Sequence, residues 1–376
     1  MDRLDDYLAG FAEEPGYLDF AAFGPLSAAV LAEDAAQREA LTRMRWGALD
    51  RLRTNVDRLR AAAAAVTGFR DDQIAFQPST TQGLMQAVFA VTGGILVSPA
   101  EFPSLPAAAV RASEALHATA PIWLETDHGR VTPGLIRDQL TSTTTAVAVS
   151  AVDARTGYVA DLEGIRQVIG DRVLIVDAVQ ALGAVDLPWT AADVVACGGQ
   201  KWLRAGAGTG FLAVSDRAAN RLTPVLSGTG GFPDGLVWDG VPEPAAGAAG
   251  LQLGRVDQAA AGRLAAALED VAGAGVPAIA ARIAGHVSRI IELADEVAAP
   301  VVSPRTPAER AGIVVLEPRP DQLTALTAAL FNHGVSVTIR DGAVRIAPHA
   351  GTTEETLGLL RSALLAYATA LRPVGR

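Results

Sequence analysis

Ala192-Asp193-Val194-Val195-Ala196-Cys197-Gly198-Gly199-Gln200-Lys201-Trp202 is an apolar run that stops at two glycines and then a lysine. The pattern puts an amine at the mouth of a buried strand. Glycines have no Cβ, so backbone and a bound group can approach closely there. An amine desolvated at such a place has its pKa lowered, which is what condensation with an aldehyde requires. A solvated lysine at a strand end is the ordinary alternative, and the choice rests on what lies upstream.

Upstream stands Val173-Leu174-Ile175-Val176-Asp177, followed by Ala178-Val179-Gln180. Four consecutive apolar residues fit a strand covered on both faces, as in a parallel sheet. Asp177 then falls at the carboxyl end of that strand, where open α/β sheets bind ligands. A carboxylate there can keep a pyridine nitrogen protonated and make the ring an electron sink. Pyridoxal phosphate (PLP) enzymes pair such a carboxylate with a Schiff-base lysine. An Asp capping the next helix is the competing reading.

The lysine block, from Asp193 through Gly198-Gly199-Gln200-Lys201 to Gly208-Thr209-Gly210-Phe211-Leu212, resembles the signature of the class V aminotransferase family. That family includes cysteine desulfurases, kynureninase and isopenicillin N epimerase. Ala192 stands where the signature usually has a larger apolar residue. A weaker likeness runs from Tyr17-Leu18-Asp19 to the last predicted helix, over nearly the whole chain. The resemblance implies a fold-type I PLP-dependent transferase: an α/β fold, its mostly parallel sheet wrapped by helices, with a small C-terminal α+β domain. It also implies a homodimer with active sites between subunits. The expected division is 16–250 for the large PLP-binding domain and 251–376, with the N-terminal segment 1–15, for the small one.

Composition agrees with a large buried core. The 376 residues are 50% apolar, mostly through alanine, and mean hydropathy is +0.26. The longest apolar candidate, Leu84 to Val97, is broken by Gln86, Thr92 and two glycines, so no membrane span is expected. The start Met1-Asp2-Arg3-Leu4-Asp5-Asp6 lacks the apolar core of a signal peptide, and a cytoplasmic protein is expected. A net charge of −10, with no basic run, argues against nucleic acid. One cysteine rules out an intramolecular disulfide and fits a reducing compartment. Five scattered histidines show no ligand spacing, so no metal is expected.

Along the chain, Arg38 to Val66 reads as a long amphipathic helical region, straight or bent. Strands at 95–97, 121–124, 146–149, 173–177, 193–196 and 211–214 alternate with helical patterns at 105–116, 132–140 and 160–169. Residues 227–248 form a long Gly- and Pro-rich loop. Helices at 257–271 and 277–297 lead to a strand at 313–316, a helix near 320–333, strands at 335–340 and 343–347, and a helix at 353–370.

The remaining candidates follow from what PLP needs. Pro78-Ser79-Thr80-Thr81-Gln82-Gly83 precedes an apolar helix, Leu84 to Val91, whose free N–H groups and dipole suit a phosphate; the stretch resembles the family's phosphate loop, with Thr80 and Thr81 at its paired threonines. An ordinary N-cap is the alternative. Gln200 stands where desulfurases have histidine, and an amide can still donate to phosphate. Phe102, in Glu101-Phe102-Pro103-Ser104, emerges at a strand's carboxyl end and resembles the Phe that covers the cofactor in kynureninase; a core Phe is the alternative. By resemblance, Gln180 donates to the cofactor's phenolic oxygen, whereas Ala151, near the place where desulfurases put an asparagine, cannot. Arg345 resembles the family's carboxylate-binding arginine, with Arg340 a second candidate. Arg255 replaces a threonine that in the family reaches the neighbouring subunit's phosphate; it is expected to bind that phosphate or an extra acidic group on the substrate.

Two glycine runs are dismissed as nucleotide sites. Gly206–Gly210 precedes a strand, and Ser227–Gly231 lacks the Lys-Ser/Thr of a P-loop. A nucleotide-dependent oxidoreductase is therefore disfavoured. The cofactor leaves the reaction open. Persulfide-forming desulfurases need a C-terminal cysteine, and residues 202–376 contain none. Cys197 reads as a small buried hydrophobe. The leading expectation is β-elimination on a cysteine-like amino acid, as in C–S lyases, with Lys201 as general base at Cα. An aminotransferase or epimerase comes next, then kynureninase-like cleavage, and last a catalytically silent scaffold of the same fold.

Overall fold

The computed structural model describes residues 3–233 and 237–371. Asp234 to Leu236 of the long loop, Met1 and Asp2 of the acidic start, and the C-terminal end from residue 372 lie outside the described residues.

Helix α1 (Arg3–Ala9) precedes an extended segment and the helices α2 (Ala28–Arg43) and α3 (Ala48–Thr67). The predicted long helical region is thus two helices. Met44 (φ 39°) and Gly47 (φ 75°) both adopt left-handed backbone, which ends one helix and starts the next. Then come β1 (Ile74–Phe76), α4 (Thr80–Phe89), β2 (Gly93–Val97), α5 (Ser104–Leu116), β3 (Thr119–Trp123) and α6 (Pro133–Gln139). The sheet continues with β4 (Thr144–Ser150), α7 (Leu162–Ile169), β5 (Val173–Asp177), β6 (Val194–Gly198) and β7 (Gly210–Val214), followed by the short α8 (Asp216–Ala219).

These seven strands form one sheet in the order β1-β7-β6-β5-β4-β2-β3. Helix-linked strands pair in parallel, but β7 runs antiparallel to both β6 and β1. The reason is the connection: β6 returns to β7 through the lysine turn without a crossover helix, and only a crossover makes neighbours parallel. The predicted β-rich half is borne out in element type, and β5 and β6 are buried along their whole length.

The C-terminal part begins with α9 (Gln258–Ala274) and α10 (Val276–Glu296), which meet at 82°. Next are β8 (Val314–Leu316), α11 (Leu323–Asn332), β9 (Thr338–Arg340), β10 (Ala343–Ile346) and α12 (Glu354–Ala370). β8, β10 and β9 make a small antiparallel sheet. Residues 16–20 run beside it: Leu18 N–H donates to Ser336 O, and Ala347 N–H donates to Leu18 O at 2.7 Å. No single helix among the described residues is long and apolar enough to cross a membrane.

Two structural pairs set the frame of the site. Asp193, at the foot of β6, is buried and accepts from Arg166 (2.5 Å), Arg217 (2.6 Å) and the Leu174 N–H (2.8 Å). It locks β6 against β5 rather than touching chemistry. Arg204, just past the lysine, is 1% exposed and forms a two-point pair with Glu13 at 2.6 and 3.1 Å. Its Nε also donates to Pro25 O at 2.6 Å, so the N-terminal segment is tied to the lysine turn.

Candidate active site

The carboxyl ends of β4, β5 and β6 lie side by side, with Ser150 opposite Asp177 and Asp177 opposite Ala196. Lys201 follows β6 by three residues and is buried to 9% exposure. Burial pulls its pKa down to about 8, while Asp177 pushes it up. An amine at that value has a sizeable neutral fraction at ordinary pH, the form that attacks an aldehyde or takes a proton. Asp177 is equally buried, and its Oδ1 accepts the Val179 N–H at 3.0 Å. Burial raises its pKa, and Lys201 opposes the rise.

Around this pair the sequence candidates divide. Thr80 lies in the first turn of α4, four residues earlier than the sequence reading began that helix, because Ser79 Oγ accepts the Gln82 N–H and caps it. The Thr80 hydroxyl is buried without a partner among the described residues. A Cβ placed on Gly198 would stand 2.8 Å from Thr80 Oγ1 and 2.4 Å from Gln200 Oε1, so Thr80 and Gln200 converge on a space that only glycine leaves open. Thr81 is exposed and shares a hydrogen bond with Ser104 Oγ at 2.8 Å, linking the starts of α4 and α5. Phe102 is 40% exposed, and its ring centroid lies 5.4 Å from Lys201 Nζ, so it is not a core residue.

Gln180 is buried and largely committed. Its Oε1 accepts Trp202 Nε1 at 3.0 Å and its Nε2 donates to Ala21 O at 3.0 Å, which leaves one N–H for a ligand. It braces the lysine turn, a part the sequence reading did not assign. Ala151 donates its own N–H to Asp177 O. Arg345 reaches Thr338 Oγ1 (3.0 Å), Ala154 O (3.3 Å) and Asp19 Oδ1 (3.7 Å), while its Nε is buried without a partner among the described residues. Arg255 is exposed in the turn before α9 and forms no ion pair among the described residues. Cys197 is buried in β6, and burial pushes its thiol far up, which makes it a poor thiolate.

The sequence reading missed two carboxyl groups here. Glu101, beside Phe102, accepts the Ser150 N–H at 3.0 Å, and burial raises its pKa to about 7. Asp19, from the N-terminal segment, accepts the Thr338 hydroxyl at 2.7 Å; burial raises its pKa, against the pull of Thr338, Arg345 and Lys201. Both sit inside quoted motifs, yet nothing local reveals where their carboxylates point. Two surface clefts, one lined by Tyr7, Glu269 and Asp270 and the other by Leu222, Pro224 and Leu251, share no residue with this constellation.

A match to the family described as Aminotransferase class-V extends over residues 17–370. The chain belongs to that family. A probable cysteine desulfurase from Methanothermobacter thermautotrophicus is 35% identical over 106 residues, a stretch covering 27% of this chain and 26% of that protein. The chain therefore aligns with only about a quarter of that relative's length. Among solved structures, an apo cysteine desulfurase from Thermococcus onnurineus NA1 superposes with a TM-score of 0.81 at 20% identity, covering 95% of both chains. A lysine variant of C-DES with glycine covalently linked to its PLP cofactor gives 0.84 at 18% identity, covering 97% of this chain and 99% of the other. The cystine C–S lyase C-DES with cysteine persulfide gives 0.80 at 18% identity, over 93% and 97%.

The family makes this chain a PLP-dependent enzyme. The residues present fit the cofactor. The unpartnered Thr80 hydroxyl and the opening at Gly198 suit a phosphate, the exposed Phe102 suits a ring face, and buried Asp177 beside Lys201 suits a pyridine nitrogen and an aldehyde.

Proposed function

We propose that the protein catalyses β-elimination on a small, cysteine-like amino acid, in the manner of a C–S lyase that uses no persulfide cysteine. The observation that carries this reading is the thiol count. The single cysteine is buried in β6 with its pKa raised, and no other cysteine follows Lys201.

When bound, PLP supplies the electron sink for the carbanion at Cα. Thr80, Thr81 and Gln200 would hold its phosphate, and Phe102 would cover its ring, a contact worth about 0.5–1.5 kcal/mol beyond burial. Asp177 would keep the pyridine nitrogen protonated, and the free N–H of Gln180 would donate to the phenolic oxygen. Arg345 would take the substrate carboxylate with its unpartnered Nε edge. The Lys201 amine, about half neutral at pH 8, would remove the Cα proton and return one to the leaving group.

The division we infer is a large domain of 16–250 and a small domain of 251–376 with the N-terminal segment. The active assembly we infer is a homodimer. Leu41, Met44, Trp46 and Leu49 stand exposed around the α2–α3 junction, a cluster in sequence of large apolar side chains that a partner would cover. Exposed Arg255 then reaches the neighbouring subunit's phosphate.

Purified protein supplied with PLP and candidate amino acids tests the reaction. Elimination releases pyruvate and ammonia together. Keto acid without ammonia would replace this reading with transamination, and a racemised amino acid with epimerisation. Borohydride reduction checks the foundation by mass: a pyridoxyl group should appear on Lys201.

A further inference from the structure

We propose that Arg340 and Arg345 form a two-cation subsite that selects amino acids bearing a second anionic group, such as a carboxylate or sulfinate, on the side chain. The inference rests on the PLP reading above and narrows its substrate class.

The β9–β10 register pairs Thr338 with Arg345 and Arg340 with Ala343. Residues two apart on a strand share a face, so Arg340, Thr338 and Arg345 lie on one side of the hairpin. The other side carries Val344 and Ile346, both fully buried, and, opposite Val344, the exposed Ile339. The shared side is the one turned to the site, because Thr338 bonds Asp19 and Arg345 approaches it. Both arginines also depress the Lys201 pKa through space, so both charges are felt at the amine.

The two cations are not equally compensated. Arg345 shares Asp19, Thr338 and Ala154 O, whereas Arg340 is exposed and its side chain has no ion pair or hydrogen bond among the described residues. Diagonal positions on paired strands lie roughly 7–8 Å apart, a gap that two long guanidinium side chains can close around one small diacid. An α-carboxylate at Arg345 meets a charge already drawn on by Asp19. A second anion at Arg340 meets one that is free. A neutral thiol side chain leaves that cation unused.

The test titrates the holoenzyme's visible spectrum with matched pairs, aspartate against asparagine and glutamate against glutamine. The acid is expected to bind about three- to tenfold more tightly than its amide at low salt, with the ratio shrinking as salt rises. Arg340→Met should bring the ratio close to one, and Arg340→Lys should keep part of it. If the Met variant does not fold, the Lys variant and the salt series still decide. Amides that bind as tightly as acids, or an acid-to-amide ratio untouched by Arg340→Met, overturn the proposal. A Lys201 that carries no pyridoxyl group after reduction overturns the PLP reading itself, a separate and recognisable failure.

Discussion

Lys201 and Asp177 shape each other's charge because both are kept out of water within electrostatic reach. Burial alone would leave a neutral amine and a neutral acid, and their mutual attraction restores part of each charge. Glu101 lacks such a partner. Burial dominates over the side chain and N–H of Ser150, which favour its charged form, and Asp153 and Asp177 add repulsion. Its pKa therefore rises on folding from 4.5 to about 7. A raised folded value means stability that is present below pH 4.5 and lost as pH climbs through about 7. Glu101→Gln keeps an acceptor for Ser150 and removes the ionisation. The variant should match the parent near pH 4.5 and exceed it in urea midpoint at pH 8. Equal midpoints at pH 8 would show that the carboxyl is not desolvated as described.

Secondary-structure elements bring these groups together through their ends. The starts of α4 and α5 are joined by Thr81 and Ser104, which sets the phosphate side of the site we propose beside the Phe102 turn. β6 ends at Gly198 so that Thr80 and Gln200 can converge. Gly198→Ala tests that geometry, since its backbone does not need glycine's left-handed freedom and only the added Cβ matters. We expect PLP affinity to fall at least about tenfold, as for a lost charge-assisted hydrogen bond, with the circular dichroism of the sheet unchanged. Fluorescence titration with PLP reads the first and far-ultraviolet spectra the second. Undiminished affinity would remove the phosphate from this place. The same logic of ends explains the lysine turn, which is braced by Gln180 through Trp202 and by the Arg204–Glu13 pair. Removing one member of such a buried pair typically costs about 3–5 kcal/mol, because the remaining charge is stranded.

In the whole molecule, the N-terminal segment crosses between the two sheets and supplies Asp19 and Glu13 from one short stretch. Gly24 shows how close the crossing is: a Cβ there would stand 2.1 Å from Lys201 O. The dimer we infer would complete the site from outside. Sedimentation should give twice the chain mass of 38.7 kDa. Arg255→Ala should weaken PLP retention by about threefold or more, in keeping with an exposed phosphate contact. A monomer that retains PLP normally, or an Arg255→Ala variant with unchanged retention, would separate Arg255 from the cofactor.

β1, three residues long, and α1 were not legible in the chain, but the other six of the seven strands of the large sheet, most of the helices that wrap them, the lysine and its upstream acid were. Each is written in a short local pattern: four apolar residues then an acid, or an apolar run then two glycines and an amine. Such patterns follow from backbone periodicity and burial, which act over a few residues. Asp19, Glu101, the Arg204–Glu13 pair and the unequal compensation of Arg340 and Arg345 were not legible. Their partners lie across the fold, as with Asp19 and Thr338 or Glu101 and Ser150, and no neighbouring residue records the pairing. Charge interacts through space, and folding alone chooses which carboxylate faces which cation.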